Sequence, residues 1–216
     1  MSGRAQPATL ADLLGRQVVV PLVEVDDVAR AVDVARTLVD NGLPVIEIAL
    51  RTAAAIEAVA AVRSSVPEAV VGVGTVVSAE QLLGAVSVGA AFAVSPGTST
   101  SLLSAAADGP IPYVPGVSTA TELMRVAEAG FREAKFFPAQ PAGGVAAVAA
   151  LGTVAPAVRF LPTGGIDQVS APGYLALDHV FAVGGSWVCP PALIRRGSWT
   201  SIGDLARAAS LLDAGS

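Results

Sequence analysis

The sequence predicts a single (β/α)8 TIM barrel with an extra N-terminal helix, and the order of its segments supports this fold class. Short apolar segments rich in Val and Ile alternate with amphipathic stretches along the chain. Near-continuous apolarity is typical of parallel strands that helices cover. Regular strand–helix spacing favours a barrel over a doubly wound sheet, which is built from the same units. The eight predicted strands are residues 18–23, 45–50, 70–76, 92–96, 113–117, 134–138, 159–163 and 180–187.

Capping residues mark the ends of the predicted helices. Asp26–Asp27 can cap the first long helix, and Asn41–Gly42 can end it. Thr52 is expected to open the next helix. Ser78 and Thr119 are each followed three residues later by Gln or Glu, which is the capping-box pattern.

A leading segment, residues 10–14, is predicted to be an extra helix that covers the bottom of the barrel. The chain shows no linker or low-complexity tail, so we expect residues 1–216 to form one domain.

Composition excludes several classes of protein. Apolar residues make up 53% of the chain, but Pro and Gly interrupt its uncharged stretches, so no transmembrane helix is expected. No apolar signal-peptide core follows the N-terminus, and we expect a cytoplasmic protein. The net charge is −5 and the basic residues are dispersed, which argues against a nucleic-acid partner.

The scarcity of metal-binding side chains argues against a metalloenzyme. Cys189 and His179 are the only residues of their types, so a disulfide or the usual zinc site is not expected. We therefore expect neither a metal nor a cofactor, although a magnesium site made only of carboxylates is left open.

The second predicted strand carries two charges on one face. Glu47 and Arg51 alternate with Ile46 and Ile48, so they are expected to face the barrel axis while the isoleucines pack under helices. A carboxylate inside a barrel needs a partner or a chemical function. Glu47 is therefore either the structural ion-pair partner of Arg51 or part of a site.

Lys135 is the only lysine of the chain and the only charge in the sixth predicted strand. Removal from water favours the neutral amine, and a neutral amine is nucleophilic towards a ketone. The alternative is a surface lysine whose amine reaches solvent at a strand edge.

Glycine pairs follow the seventh and eighth predicted strands, in Thr163-Gly164-Gly165 and Gly184-Gly185-Ser186. Barrels commonly bind phosphate at this position through backbone N–H groups. Turns also require glycine, so the pattern alone does not decide between the two interpretations.

Several motifs together resemble those of the 2-keto-3-deoxy-6-phosphogluconate (KDPG) aldolase family, from about Leu10 to the C-terminal helix. They are Val-Ile-Glu-Ile-Ala-Leu-Arg-Thr (45–52), Gly-Val-Gly-Thr (72–75), Ser-Pro-Gly (95–97), Pro-Gly (115–116), Lys-Phe-Phe-Pro-Ala (135–139), Pro-Thr-Gly-Gly (162–165) and Gly-Gly-Ser-Trp (184–187). The resemblance implies a class I aldolase whose partners are a small 2-keto sugar acid and pyruvate. It also implies a homotrimer.

The resemblance also implies functions for individual residues. Lys135 would form the Schiff base, Glu47 would act as acid and base, and Arg51 and Thr75 would hold the pyruvate carboxylate. One departure is Gln140, where relatives are expected to carry an acidic residue, and this bears on fine specificity. Further substrate or phosphate contacts are expected from Pro96, Phe137, Thr163, Gly164, Gly165, Gly184, Gly185 and Ser186.

The expected reaction is cleavage of KDPG to pyruvate and glyceraldehyde 3-phosphate, with 4-hydroxy-2-oxoglutarate (KHG) as a second substrate. The alternatives are a 2-keto-3-deoxy-6-phosphogalactonate-type aldolase and a non-catalytic phosphate-binding barrel. A metal-dependent aldolase is disfavoured, because the chain has only one Cys and one His that could serve as ligands. A serine hydrolase lacks the G-x-S-x-G motif, and its only histidine, His179, precedes the eighth strand at the barrel bottom.

Overall fold

Parallel strands and helices alternate along residues 8–107 and 109–213, the part of the chain that the computed structural model describes. No helix within these ranges combines the length and apolarity needed to cross a membrane. The strands are β1 (Val19–Val23), β2 (Val45–Ala49), β3 (Val70–Gly74), β4 (Ala93–Val94), β5 (Tyr113–Val114), β6 (Gly116–Val117), β7 (Glu133–Phe136), β8 (Arg159–Pro162) and β9 (Val183–Gly185). The helices are α1 (Leu10–Leu14), α2 (Val28–Asp40), α3 (Ala55–Ser65), α4 (Ala79–Ser87), α5 (Thr100–Ala107), α6 (Ala120–Glu128), α7 (Gly144–Val154), α8 (Ala171–Leu175), α9 (Pro191–Arg196) and α10 (Trp199–Ser210).

The strands form two parallel sheets, which confirms the predicted parallel α/β class. One sheet has the order β5-β4-β3-β2-β1-β9, and the other has the order β6-β7-β8. Pro115 separates β5 from β6, so the fifth predicted strand contributes its first half to one sheet and its second half to the other. Isolated bridges join Phe160 to Val180 and Thr163 to Gly184, next to β8 and β9.

Alternate side chains of the strands enter two apolar clusters, as the pleat of a strand requires. In β2, Ile46 and Ile48 belong to the large cluster between strands and helices. Val45 belongs to a smaller inner cluster with residues from both sheets, including Phe92 and Leu161. The two faces predicted for β2 are therefore confirmed for Val45, Ile46 and Ile48, whereas Arg51, predicted to share the inward face, lies beyond the end of β2.

The predicted extra helix is present as α1 and contributes to the inner cluster. Leu10 and Leu14 are buried there. The carboxylate of Glu133 on β7 accepts hydrogen bonds from the backbone N–H of Leu10 at 2.9 Å and of Ala11 at 3.0 Å. Glu133 precedes the predicted strand 134–138 but belongs to β7, so β7 carries a second charge beside Lys135.

Most of the predicted helix caps are confirmed. The Asp27 side chain caps α2, and Thr119 forms a complete capping box with Glu122 on α6. Ser78 caps α4, although the Gln81 side chain bonds to the N–H of Val77 rather than to that of Ser78.

The cap predicted at Thr52 is wrong. Helix α3 begins at Ala55 and has no side-chain cap. The Thr52 hydroxyl donates instead to the carbonyl of Val25 at 2.6 Å. The hydroxyl that the local pattern predicted to cap α3 therefore forms a tertiary hydrogen bond instead.

Candidate active site

Lys135 and Glu47 form a buried ion pair between the two sheets. The Lys135 Nζ donates to Glu47 Oε1 at 2.9 Å and to Oε2 at 3.1 Å. Lys135 is 3% exposed and Glu47 is fully buried, so the alternative of a surface lysine is wrong. Buried charges are tolerated when they are paired, and this pair brings an amine and a carboxylate together away from water.

Glycine in β3 makes room for the Glu47 carboxylate. Gly74 pairs with Ala49 of β2, and a Cβ at Gly74 would overlap the carboxylate of Glu47. The carboxylate can therefore occupy this position only because residue 74 has no side chain.

Arg51 does not pair with Glu47, so the structural Glu47–Arg51 ion pair that the sequence left open as an alternative is wrong. It lies just past β2, and its Nη1 is 3.0 Å from Oε2 of Glu24, which follows β1. The side chains of Arg51 and Glu24 are 44% and 36% exposed. Arg51 lies in the turn beyond the end of β2 rather than on the strand face that carries Glu47, and its side chain reaches Glu24 at the end of the neighbouring strand.

Thr75 has an unusual backbone conformation at the end of β3. Its φ of +61° is the only positive φ at a non-glycine residue within the described ranges. The left-handed region is unfavourable for a β-branched residue, and such strain tends to occur at functional sites. The residue that the resemblance assigns to carboxylate binding is thus held in a strained geometry.

A cavity of about 450 Å³ opens beside the glycine turn that follows β8 and the C-terminal end of β9. Arg51 is the only charged residue among those described that line it. Seven of the expected site residues line this cavity: Arg51, Phe137, Thr163, Gly164, Gly165, Gly185 and Ser186. Five do not: Glu47, Thr75, Lys135, Pro96 and Gly184.

The glycines after β8 and those at the end of β9 differ in backbone conformation and packing. Gly164 and Gly165 have φ values of +105° and +76°, so their turn requires glycine. Gly184 is buried, and a Cβ there would overlap the hydroxyl of Thr163. Gly184 therefore packs against Thr163 rather than facing the cavity.

Part of the cavity wall consists of residues that were not predicted from the sequence. Trp187, the last residue of the Gly-Gly-Ser-Trp motif, was not among the expected site residues but lines the cavity, and its ring lies directly against Gly185. The position of Trp187 next to Gly-Gly-Ser was the one available indication. The other lining residues that were not expected are Leu22, Ile166, Pro190 and Pro191.

A second cavity, of about 270 Å³, is lined by residues at the N-terminal ends of β5 and β7. Thr9, Tyr113 and Glu133 are among its lining residues, and none of the expected site residues contacts it. Seven of the expected site residues therefore line the first cavity, and none of them lines this second one.

Other reactive groups are unsuited to a catalytic function. Burial raises the pKa of the Cys189 thiol to about 12, so the thiol stays protonated, and it donates to the Leu22 carbonyl at 3.4 Å. The His179 Nε2 lies 3.1 Å from the carbonyl of Val148 on α7. Among the described residues, no group of three or more His, Cys, Asp or Glu side chains is placed to hold a metal ion.

Comparison with known proteins gives consistent matches over most of the chain. Residues 10–205 match the aldolase family described as KDPG and KHG aldolase. The KHG/KDPG aldolase of Escherichia coli K12 is 45% identical over 191 residues, covering 88% of this chain and 90% of that protein. The 2-dehydro-3-deoxy-phosphogluconate aldolase of Pseudoalteromonas atlantica is 41% identical over 198 residues, covering 92% of each protein.

A solved structure gives a similar match. The crystal structure of KDPG aldolase from Legionella pneumophila superposes with a TM-score of 0.90 at 36% identity, covering 94% of this chain and 98% of that chain. That structure contains pyruvate captured as a covalent carbinolamine intermediate.

Proposed function

This chain belongs to the KDPG and KHG aldolase family, and from that premise we propose that it cleaves KDPG to pyruvate and glyceraldehyde 3-phosphate through an imine on Lys135. KHG is proposed as a second substrate. The observation that carries the proposal is the buried Lys135–Glu47 pair, with the amine 2.9 Å from the carboxylate. A barrel that only binds phosphate needs neither charge in its interior, so this pair disfavours the non-catalytic alternative.

The pair supplies the groups that imine formation needs. Glu47 can take a proton from the Lys135 ammonium, which leaves a neutral amine to attack C2 of the 2-keto acid. Addition gives a carbinolamine. Glu47 returns its proton to the carbinolamine hydroxyl, which leaves as water, and the resulting iminium withdraws electrons from C2.

Carbon–carbon cleavage uses the same carboxylate. Glu47, now deprotonated, accepts the proton of the C4 hydroxyl while the C3–C4 bond breaks. The aldehyde leaves, and the bonding electrons form an enamine with C3. Protonation at C3 and hydrolysis of the imine release pyruvate and regenerate Lys135.

Arg51 and Thr75 are proposed to hold the carboxylate of the keto acid. A guanidinium binds a carboxylate through two parallel hydrogen bonds, which would fix the ketone of the 2-keto acid relative to the Lys135 amine. Arg51 suits this function because it lines the cavity and lies beyond the end of the strand that carries Glu47.

We propose that the turns after β8 and β9 bind the phosphate. Gly164, Gly165 and Ser186 line the cavity. No basic residue except Arg51 lines it within the described ranges, so backbone N–H groups and the Ser186 hydroxyl would contact the phosphate.

Borohydride trapping tests the proposed function. Incubation of the protein with pyruvate and borohydride should add one adduct, which maps to the peptide containing Lys135. The Lys135→Arg variant keeps the positive charge but has no primary amine, so it should lose the adduct and nearly all KDPG cleavage. An active Lys135→Arg variant would rule out the proposed chemistry.

The same assay separates the remaining alternatives. A binding barrel forms no reducible imine. A phosphogalactonate-type aldolase forms the adduct but cleaves the C4 epimer of KDPG faster, so the two epimers are compared as substrates.

Four further proposals concern the whole protein: barrel closure, domain extent, oligomeric state and location. We infer that the two sheets close into one eight-stranded barrel, which is supported by the bridges next to β8 and β9 and by chain continuity through Pro115. A single domain over residues 1–216, a homotrimer and a cytoplasmic location are proposed from the sequence.

A further inference from the structure

Glu24 makes the single polar contact that the structure gives to the guanidinium of Arg51. Its Oε2 lies 3.0 Å from Arg51 Nη1, and no other hydrogen bond from this guanidinium is found within residues 8–107 and 109–213. Glu24 follows β1 directly, and Arg51 lies two residues past β2. The contact thus joins the C-terminal ends of two hydrogen-bonded strands.

The position of this contact on the guanidinium matters for ligand binding. An Arg side chain offers five N–H donors in a rigid planar fork, and Glu24 engages it at Nη1. No hydrogen bond from a described residue occupies the edge formed by Nε and Nη2, which leaves that edge for a second carboxylate. Without Glu24, the long and 44% exposed side chain would sample many rotamers, and binding would have to order it.

We propose that Glu24 is a positioning residue for substrate binding, which holds Arg51 so that its second edge faces the carboxylate of the 2-keto acid. This inference rests on the proposed function of Arg51. Glu24 acts only through Arg51 and takes no part in proton transfer, because the carboxylate beside Lys135 is that of Glu47.

Loss of the Glu24–Arg51 contact should raise KM and leave kcat unchanged. Arg51 would hold the substrate carboxylate equally in the ground state and the transition state, and loss of such uniform binding raises KM alone. Partly exposed ion pairs contribute little, so we expect Glu24→Ala to raise KM for KHG by about threefold with kcat unchanged. Glu24→Gln keeps an acceptor oxygen at the same reach and should restore most of the KM.

Two controls separate positioning from a general effect of lost charge. Asp204→Ala removes the carboxylate of another exposed ion pair, with Arg207 on α10, and should leave KM unchanged. Glu24→Ala is also measured in an Arg51→Lys background. Lysine lacks the planar fork that Glu24 would orient, so the KM effect of Glu24→Ala should largely disappear there.

Several outcomes would overturn the inference. These are a KM change no larger than that of Asp204→Ala, an equal change in both backgrounds, or a lower KM. A lower KM would mean that Glu24 competes with the substrate for Arg51. Failure of the proposed function would look different, because the unmutated protein would then form no trapped adduct with pyruvate.

Discussion

At the scale of single residues, the Lys135–Glu47 pair is where burial and chemistry depend on each other. Both charges are nearly inaccessible to solvent, and each is tolerated only because the other is within 2.9 Å. Removing one partner of such a pair leaves an uncompensated buried charge, whereas removing both does not. The pair that we propose to be catalytic is therefore also a structural unit.

This dependence predicts non-additive effects on stability. We expect Lys135→Met and Glu47→Gln each to lower the free energy of unfolding by about 3 kcal/mol, and the double variant to lose less than the sum. Urea unfolding measures all three variants. Asp204→Asn, in an exposed pair, should change stability by less than about 0.5 kcal/mol. Additive losses from the two buried substitutions would contradict this account.

Thr75 shows a different energetic conflict at the residue scale, because its φ of +61° is unfavourable for a β-branched side chain. Thr75→Gly should relieve this strain and raise the free energy of unfolding by about 1 kcal/mol, after the entropy cost of glycine is included. Pyruvate affinity should fall, because the side chain proposed to contact the carboxylate is lost.

A second threonine provides the control for this experiment. Thr37 lies in α2, where glycine is a poor helix former, so Thr37→Gly should lower stability by about 0.5 kcal/mol. Both variants are compared by urea unfolding and by the pyruvate dependence of borohydride trapping. Equal destabilisation of the two variants would show that Thr75 is not strained.

At the scale of elements, the pairing of β2 and β3 makes the site possible. The register sets Ala49 opposite Gly74, and the Glu47 carboxylate fills the space that a side chain at residue 74 would need. A glycine in a strand interior weakens the strand, so its presence here is explained by this close approach.

A pair of glycine-to-alanine substitutions tests this explanation. Gly74→Ala should displace Glu47 and lower kcat by roughly 10²-fold, the scale of a lost general base. Gly84 lies in α4 with open space around it, so Gly84→Ala should keep kcat and stabilise the protein by about 0.5–1 kcal/mol. Full activity of Gly74→Ala would contradict the close approach.

At the scale of the whole molecule, the cavity depends on the meeting of the two sheets. Its lining comes from the ends of β1, β2, β7, β8 and β9, which are distant in sequence. The residues proposed to contact phosphate line the cavity, whereas Lys135 does not, so phosphate specificity and imine formation should be separable by mutation.

Ser186→Ala tests this separation. Loss of one hydroxyl hydrogen bond to a charged phosphate should raise KM for KDPG by about tenfold, while KM for KHG, which has no phosphate, stays unchanged. Gly184 is unsuitable for this test, because a side chain there would displace Thr163. Ser87→Ala, on α4, is the matched control. Equal losses with both substrates would remove the case for a phosphate site at Ser186.

The sequence by itself determined the features that follow local rules. The order of strands and helices, the cap at Asp27 and the capping box at Thr119 depend on neighbouring residues. The inward face of β2 follows from the two-residue period of a strand. Lys135 stood out because a charge in the middle of an apolar strand is rare.

Only the tertiary structure decided which groups meet. Glu47 pairs with Lys135, which is 88 residues away, rather than with Arg51, which was predicted to share its strand face but lies beyond the end of β2. Arg51 pairs with Glu24 across two strand ends, Gly184 packs on Thr163, and Trp187 forms part of the cavity wall. These contacts depend on strand register and on how the two sheets face each other, and the local period of a sequence carries no information about either.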